Sequence, residues 1–190
     1  MQNVLGTVNK TEVTNKIIIL NVNPIIDYSV RGLCTKPYYN HPKGCPNFGK
    51  KKGCPPSAEL FDKVYDMSQP FYAIIYRFNL RSHTEKLKIK HPDWSDRQLK
   101  CCYYWQNTAR KQLMIGIKQF LKEHRGLSVE PTPEAMGIDI TKTLENSGFK
   151  LEWPPEFSVC KVAIAGKKIK KDCYNLKADL EVETLYEPVL

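Results

Sequence analysis

Between Arg31 and Pro56 the chain reads RGLCTKPYYNHPKGCPNFGKKKGCPP. No other stretch restricts the possible folds so much. Pro37, Pro42, Pro46, Pro55 and Pro56 fix φ and remove backbone donors, while Gly44, Gly49 and Gly53 favour turns. A regular helix or strand cannot run through it, and it cannot build a core of its own. Something else must offset the conformational entropy lost when such a loop orders. Cys34, Cys45 and Cys54, three of the seven cysteines, offer a means at C-x10-C-x8-C spacing. Thiolates wrapped round a metal or an iron–sulfur cluster contribute folding free energy directly. The competing reading is free core cysteines, but a loop rich in Pro, Gly and Lys has little core to fill.

Structural zinc sites are usually built from C-x2-4-C knuckles, and this chain has none. The irregular spacing points instead to a [4Fe-4S] cluster on Cys34, Cys45 and Cys54 with one further ligand; zinc is the alternative. Cys54 stands just before Pro55-Pro56-Ser57, where a helix is expected to start with Ser57 as its N-cap, and a helix N-terminus favours a thiolate. Lys50, Lys51 and Lys52 add positive charge there. Tyr38, Tyr39 and Phe48 would shield a cluster from water or stack on a base, shielding being the simpler role. Cys160, on an expected strand, is the first candidate for the fourth ligand, against a reading as a buried structural cysteine. His41 is a further candidate if the metal is zinc.

The 190 residues fit one domain, 1–190, with 1–16 a loose start and 31–56 the cysteine loop. No run of 18 apolar residues occurs and the N-terminus lacks a signal-peptide core, so no membrane segment is expected. Seven cysteines without a secretion signal argue for the reducing cytoplasm. The net charge of +9 is uneven: residues 31–58 carry six basic groups and no acid, and 81–125 carry eleven basic and four acidic. Such patches fit nucleic acid or a phosphate-bearing substrate; a solvated basic surface is the plainer alternative. Residues 129–159 reverse the sign, with six acids and two lysines.

Apolar runs predict strands at Ile17–Val22, Phe71–Leu80 and Phe157–Ala165, with Val159, Lys161 and Ala163 facing away from Cys160, Val162 and Ile164. Alternating apolar and acidic residues make Asp179–Leu185 an expected edge strand. Helices are expected from Ser57 to about Met67, from Ser95 (with Gln98 as a capping box) to about Arg125, and from Thr132 to Gly148. In the longest, Leu99, Cys102, Ala109, Leu113, Ile117 and Phe120 share one face, with Cys102 as core filling. Arg81–Asp93 reads as a polar loop with exposed histidines at His83 and His91. The fold class is α+β, with mixed α/β the alternative: about four strands and three helices around a long cysteine loop. No GxGxxG, Walker A or GxSxG motif occurs.

Two segments, GCPNFGKKKGCPP (Gly44–Pro56) and PTPEAMGIDITKTLENSGFKLEW (Pro131–Trp153), carry a resemblance. Together they resemble an uncharacterised prokaryotic family called "predicted metal-binding protein", in which cysteines lead to CPP and a P-S-x-E-A-x-G-I-D segment opens a helix. The likeness spans about Ile17 to Trp153. It implies metal binding, iron–sulfur in type, on Cys34, Cys45 and Cys54. The gap from Cys34 to Cys45 is longer than the family pattern. The family's second cysteine cluster is missing, since KEHRGLSVEPTPEAMGID holds no cysteine. The resemblance therefore implies one cluster at most and gives no reaction. The expected function is metal binding, with an open iron serving redox or nucleotide and RNA modification chemistry and an electron-transfer partner as one option. The alternative is a zinc-stabilised, non-catalytic nucleic-acid-binding module.

Overall fold

Ile17, Ile18, Ile19, Leu20 and Val22 form the strand their β-branched run predicts, β1 (Lys16–Val22). The coordinates are a computed structural model and describe residues 16–37 and 42–170. The other expected central strands are β2 (Phe71–Asn79) and β4 (Ser158–Gly166); a short β3 (Ser128–Glu130), absent from the sequence reading, joins them. All neighbours are antiparallel, in the order β1-β2-β4-β3. The expected strand at Asp179–Leu185, the loose residues before Lys16, and Tyr38, Tyr39 and His41 lie outside the described residues.

Both faces of the sheet are covered, which explains why β2 is nearly continuous in apolar residues. On one face Ile74, Tyr76 and Phe78 of β2 and Ala163 and Ala165 of β4 pack against Ala109, Leu113, Ile117 and Phe120. The latter belong to α4 (Gln106–Glu123). On the other face Ala73, Ile75, Val162 and Ile164 meet Phe61 and Tyr65, and Ile140 and Leu144 of α5 (Ile140–Asn146). Fully burying one such side chain contributes about 1.5–3 kcal/mol. The alternation along β4 holds, with Val159 against the α4 cluster and Cys160 against the other. The architecture is a single α+β domain with a four-stranded antiparallel sheet. Among the described residues no helix is long and apolar enough to cross a membrane.

The helices depart from expectation. Ser57 does not cap a helix: its Oγ donates to Cys54 O (3.1 Å), and α1 is only Phe61–Val64. Arg81–Asp93 is no loop, because Asn79 Oδ1 accepts the Ser82 N–H and caps α2 (Leu80–Lys90). The Ser95–Gln98 capping box forms as read, yet it opens only the single turn α3 (Asp96–Leu99). The chain then breaks through a 3-10 turn at Cys102–Tyr104 before α4 starts. There the Trp105 indole N–H donates to Lys100 O (3.2 Å), which a continuous helix would need for itself. Cys102 is consequently exposed instead of filling the core. The expected helix from Thr132 is cut as well. A 3-10 turn, Pro133–Met136, ends at Gly137 (φ 94), where a Cβ would run into the Tyr28 ring. Asp139 then caps α5.

The segment after β1 is stitched to this break. Asp27 N–H donates to Gly137 O (2.8 Å), Asp139 N–H donates to Ile25 O (2.9 Å), and Ile25 N–H donates to the buried Thr143 Oγ1 (2.9 Å). These bonds fix the start of the cysteine loop against Pro133–Met136, on the far side of the sheet from α4.

Candidate functional site

Cys34 lies near the end of a 3-10 segment, Tyr28–Thr35, that Asp27 caps by accepting the Ser29 N–H. From there the loop is held by turns that tie each cysteine's backbone. Cys45 N–H donates to Cys34 O (2.7 Å), Phe48 N–H to Cys45 O (3.1 Å), Cys54 N–H to Lys51 O (2.9 Å), and Ala58 N–H to Cys54 O (2.9 Å). Gly49 N–H reaches across to Pro55 O (2.8 Å). Arg31 Nη2 clamps the two ends together by donating to Pro56 O (2.9 Å) and Ala58 O (2.8 Å). The described parts of this segment are held by backbone bonds and one guanidinium.

Cys45 and Cys54 lie close enough for their charges to act on Cys34. Burial pushes the Cys34 thiol up, and the charges of Cys45, Cys54 and Glu134 push it further the same way. All three cysteines are half-buried and reduced. Among the described residues no group of three or more His, Cys, Asp and Glu side chains stands where it could hold one ion. The donor chemistry suits a soft metal or an iron–sulfur cluster. Cys54 lacks the helix N-terminus expected beside it, because the turn ahead of α1 consumes its carbonyl. Lys50, Lys51 and Lys52 are exposed around it, and Phe48 is partly exposed.

Cys160 stands on β4, outside the cysteine loop. It packs on the core face of β4, and burial raises its thiol against the opposing charge and hydrogen bond of Arg77 on β2. It is not among the groups that act on Cys34. His83 is half-buried on α2 with its ring edge against Phe78 (5.4 Å), and burial lowers its pKa. His91 stacks on Trp94 at 3.9 Å.

One feature was not found from the sequence. β3 pairs only with Ile164, Ala165 and Gly166 of β4. The outer edge of the rest of β4 therefore has no strand beside it among the described residues. A cavity of about 540 Å³ occupies that edge. Leu33 of the cysteine segment, Cys102, Trp105, Glu134, Trp153 and Lys161 help line it. Glu134 is exposed, and the protein packed around it raises its carboxyl pKa against its own backbone hydrogen bond and the pull of Lys161. Burial lowers the Lys161 ammonium, Arg110 lowers it further, and Glu134 and Cys102 oppose the shift. Because Glu134 also acts on Cys34, the cavity and the cysteine loop adjoin. The only sequence signal was Lys161 at a core-facing register of an apolar strand. No protein-family model, curated protein or solved structure matches the chain.

Proposed function

We propose that the chain is a metal-binding protein whose loop cysteines, Cys34, Cys45 and Cys54, hold one [4Fe-4S] cluster. The observation that supports this is three reduced thiols on one loop with no apolar core to hide them in, two of them near enough to act on the third, Cys34. The likeness of Gly44–Pro56 and Pro131–Trp153 to the "predicted metal-binding protein" family agrees with it. When bound, such a cluster supplies electron transfer or, at an iron without a fourth protein thiolate, Lewis acidity. The chain's own part is to deliver thiolates from tied turns, to surround them with Lys50, Lys51 and Lys52, and to set Glu134 and the cavity beside them. Cys160 as fourth ligand would have to leave Arg77. The reading places the protein in the reducing cytoplasm, where free thiols persist.

A second reading, a zinc-held module that binds nucleic acid, draws support from a different surface. His91, Trp94, Tyr104 and Tyr103 form a chain of ring contacts at 3.9, 5.1 and 5.5 Å, ending at Tyr103, which is 81% exposed. Lys88, Lys90 and Lys100 flank it in sequence, and stacked rings beside cations are what a single strand needs.

Anaerobic purification with iron, sulfide and zinc analysis separates the two. The cluster reading predicts coloured protein with about four irons and matching sulfide per chain. Stoichiometric zinc without sulfide would select the zinc module. Metal-free protein that also fails reconstitution with iron and sulfide would overturn both.

A further inference from the structure

We propose that two copies of this chain pair through the outer edge of β1, antiparallel about a two-fold axis at Ile19, so that their sheets join into one. This pairing needs no metal and no nucleic acid.

β1 ends the sheet. β2 lies on one side of it, and among the described residues no strand lies on the other. No backbone bond outside the β2 ladder reaches it among those residues either. The outward N–H and C=O groups of such an edge are a template for another strand. Folds that keep an edge single shorten it, bend it with a bulge, or set a charge or a proline in its middle. The opposite edge follows that practice, since β3 has only three residues. β1 does not. Its seven residues pair one for one with β2 and include no proline. Its polar residues, Lys16 and Asn21, stand toward the ends. Ile17, Ile18, Ile19 and Leu20 fill the middle with apolar groups on both faces.

A second copy fits because this edge matches itself. With the axis at Ile19 all seven residues find a partner: Ile19 meets Ile19, Ile18 meets Leu20, Ile17 meets Asn21, and Lys16 meets Val22. Ile18, Leu20 and Val22 pack on the α5 side of the sheet and Ile17 on the α4 side. Ile19 stands opposite Ile74, which belongs to the α4 side. Each pair therefore keeps its side chains on one face, and the α4 side of one copy continues into that of the other. The two Lys16 side chains end up about 20 Å apart, six residue steps of about 3.3 Å, so no like charges meet along the paired strands. Pairing covers Ile19, which is 45% exposed although it sits in the middle of a strand. On this flank α4 comes down onto β1 at Gly116, where a Cβ would lie 2.6 Å from Ile17 Cδ1. Ile115 beside it is exposed, bordered by Lys118, Lys122 and Glu123. The cysteine segment follows the C-terminal end of β1, and an antiparallel pair sends those ends in opposite directions. Each copy thus keeps its own thiols.

The test is sedimentation equilibrium on the full chain, with reductant present to keep the cysteines free. A strand-edge contact ranks with small interfaces, so a reversible dimer should form with a Kd of about 10–100 µM. Salt should hold or tighten it, because Lys118 and Lys122 are then screened. Ile19→Lys puts like charges face to face on the axis and should weaken the dimer by about tenfold or more, with the fold checked by thermal melting. Ile19→Glu should do the same. An equimolar mixture of the two variants should associate again, because opposite charges then face one another across the axis. Ile89→Lys, at a residue 83% exposed on α2, should leave association unchanged. The proposal is overturned if the wild-type chain stays monomeric to about ten times the expected Kd. It is overturned equally if assembly runs past the dimer, if salt dissociates it, if folded Ile19→Lys pairs as well as wild type, or if the mixed variants fail to associate.

Discussion

Gly44→Ala should unlock the cysteine loop, and its neighbour Gly49→Ala should not. Gly44 has φ 82, in the left-handed region, where a Cβ costs about 1–2 kcal/mol. A Cβ there would also lie 2.5 Å from Cys34 O and within 2.9 Å of Thr35 backbone atoms, which no side-chain rotation can relieve. Moving that backbone breaks the 2.7 Å bond from Cys45 N–H to Cys34 O, about 0.5–1.5 kcal/mol, and adds overpacking strain of about 1–3 kcal/mol. The combined cost is about 2.5–6.5 kcal/mol, which should open the loop before the sheet melts. Gly49 has φ 69 but nothing within 4 Å of its Cβ position, so only the conformational cost remains, about 1–2 kcal/mol. The assay is the alkylation rate of Cys34 and Cys45, read by peptide mass spectrometry on folded, metal-free protein. Gly44→Ala should accelerate it by about tenfold or more relative to Gly49→Ala. Equal rates in the two variants would refute the idea that close backbone approach at Gly44 holds the loop shut.

Three further outcomes follow from particular bonds and burials. Thr143→Val strips the acceptor from Ile25 N–H at a fully buried site and should cost about 1–3 kcal/mol in urea unfolding. Glu152→Ala frees three backbone N–H groups and should cost about 3 kcal/mol. Burial alone would raise the Glu152 carboxyl, but its three N–H bonds outweigh that and lower it. Its contribution is therefore present above the unfolded carboxylate value, 4.5, and lost as pH falls through the lower folded value, a loss that a denaturation series down to acid pH will record. Tyr65 behaves oppositely: burial pushes its phenol from 10.0 to about 12, so stability is full below pH 10 and falls as pH rises toward 12. Tyr65→Phe should flatten that alkaline decline in thermal melts.

The strands were legible in the chain because their apolar runs suit a sheet covered on both sides; β2 reads FYAIIYRFN and is buried along most of its length. β3 was not, because three residues carry no period. Helix α2 was missed for the opposite reason. Its one buried residue is Leu80, and Ile89 is exposed, so no amphipathic stripe announces it; Asn79 as a cap was the available signal. The long helix read through Cys101–Cys102 follows a real periodicity that tertiary contacts override, with Trp105 drawn onto Lys100 O and against Phe78. In the site, the grouping of Cys34, Cys45 and Cys54 was visible as composition. That Glu134 and Lys161 line one cavity was not, since the cavity lies where β3 stops along β4.

The most direct test of the central claim is metal content across cysteine variants purified without oxygen. Iron and sulfide per chain should be lost in Cys34→Ala, Cys45→Ala and Cys54→Ala, and kept in Cys102→Ala, which stands outside the loop. If the three loop variants retain the wild-type metal content while folded, the loop is ordered by its turns and Arg31 alone, and the metal-binding account is wrong.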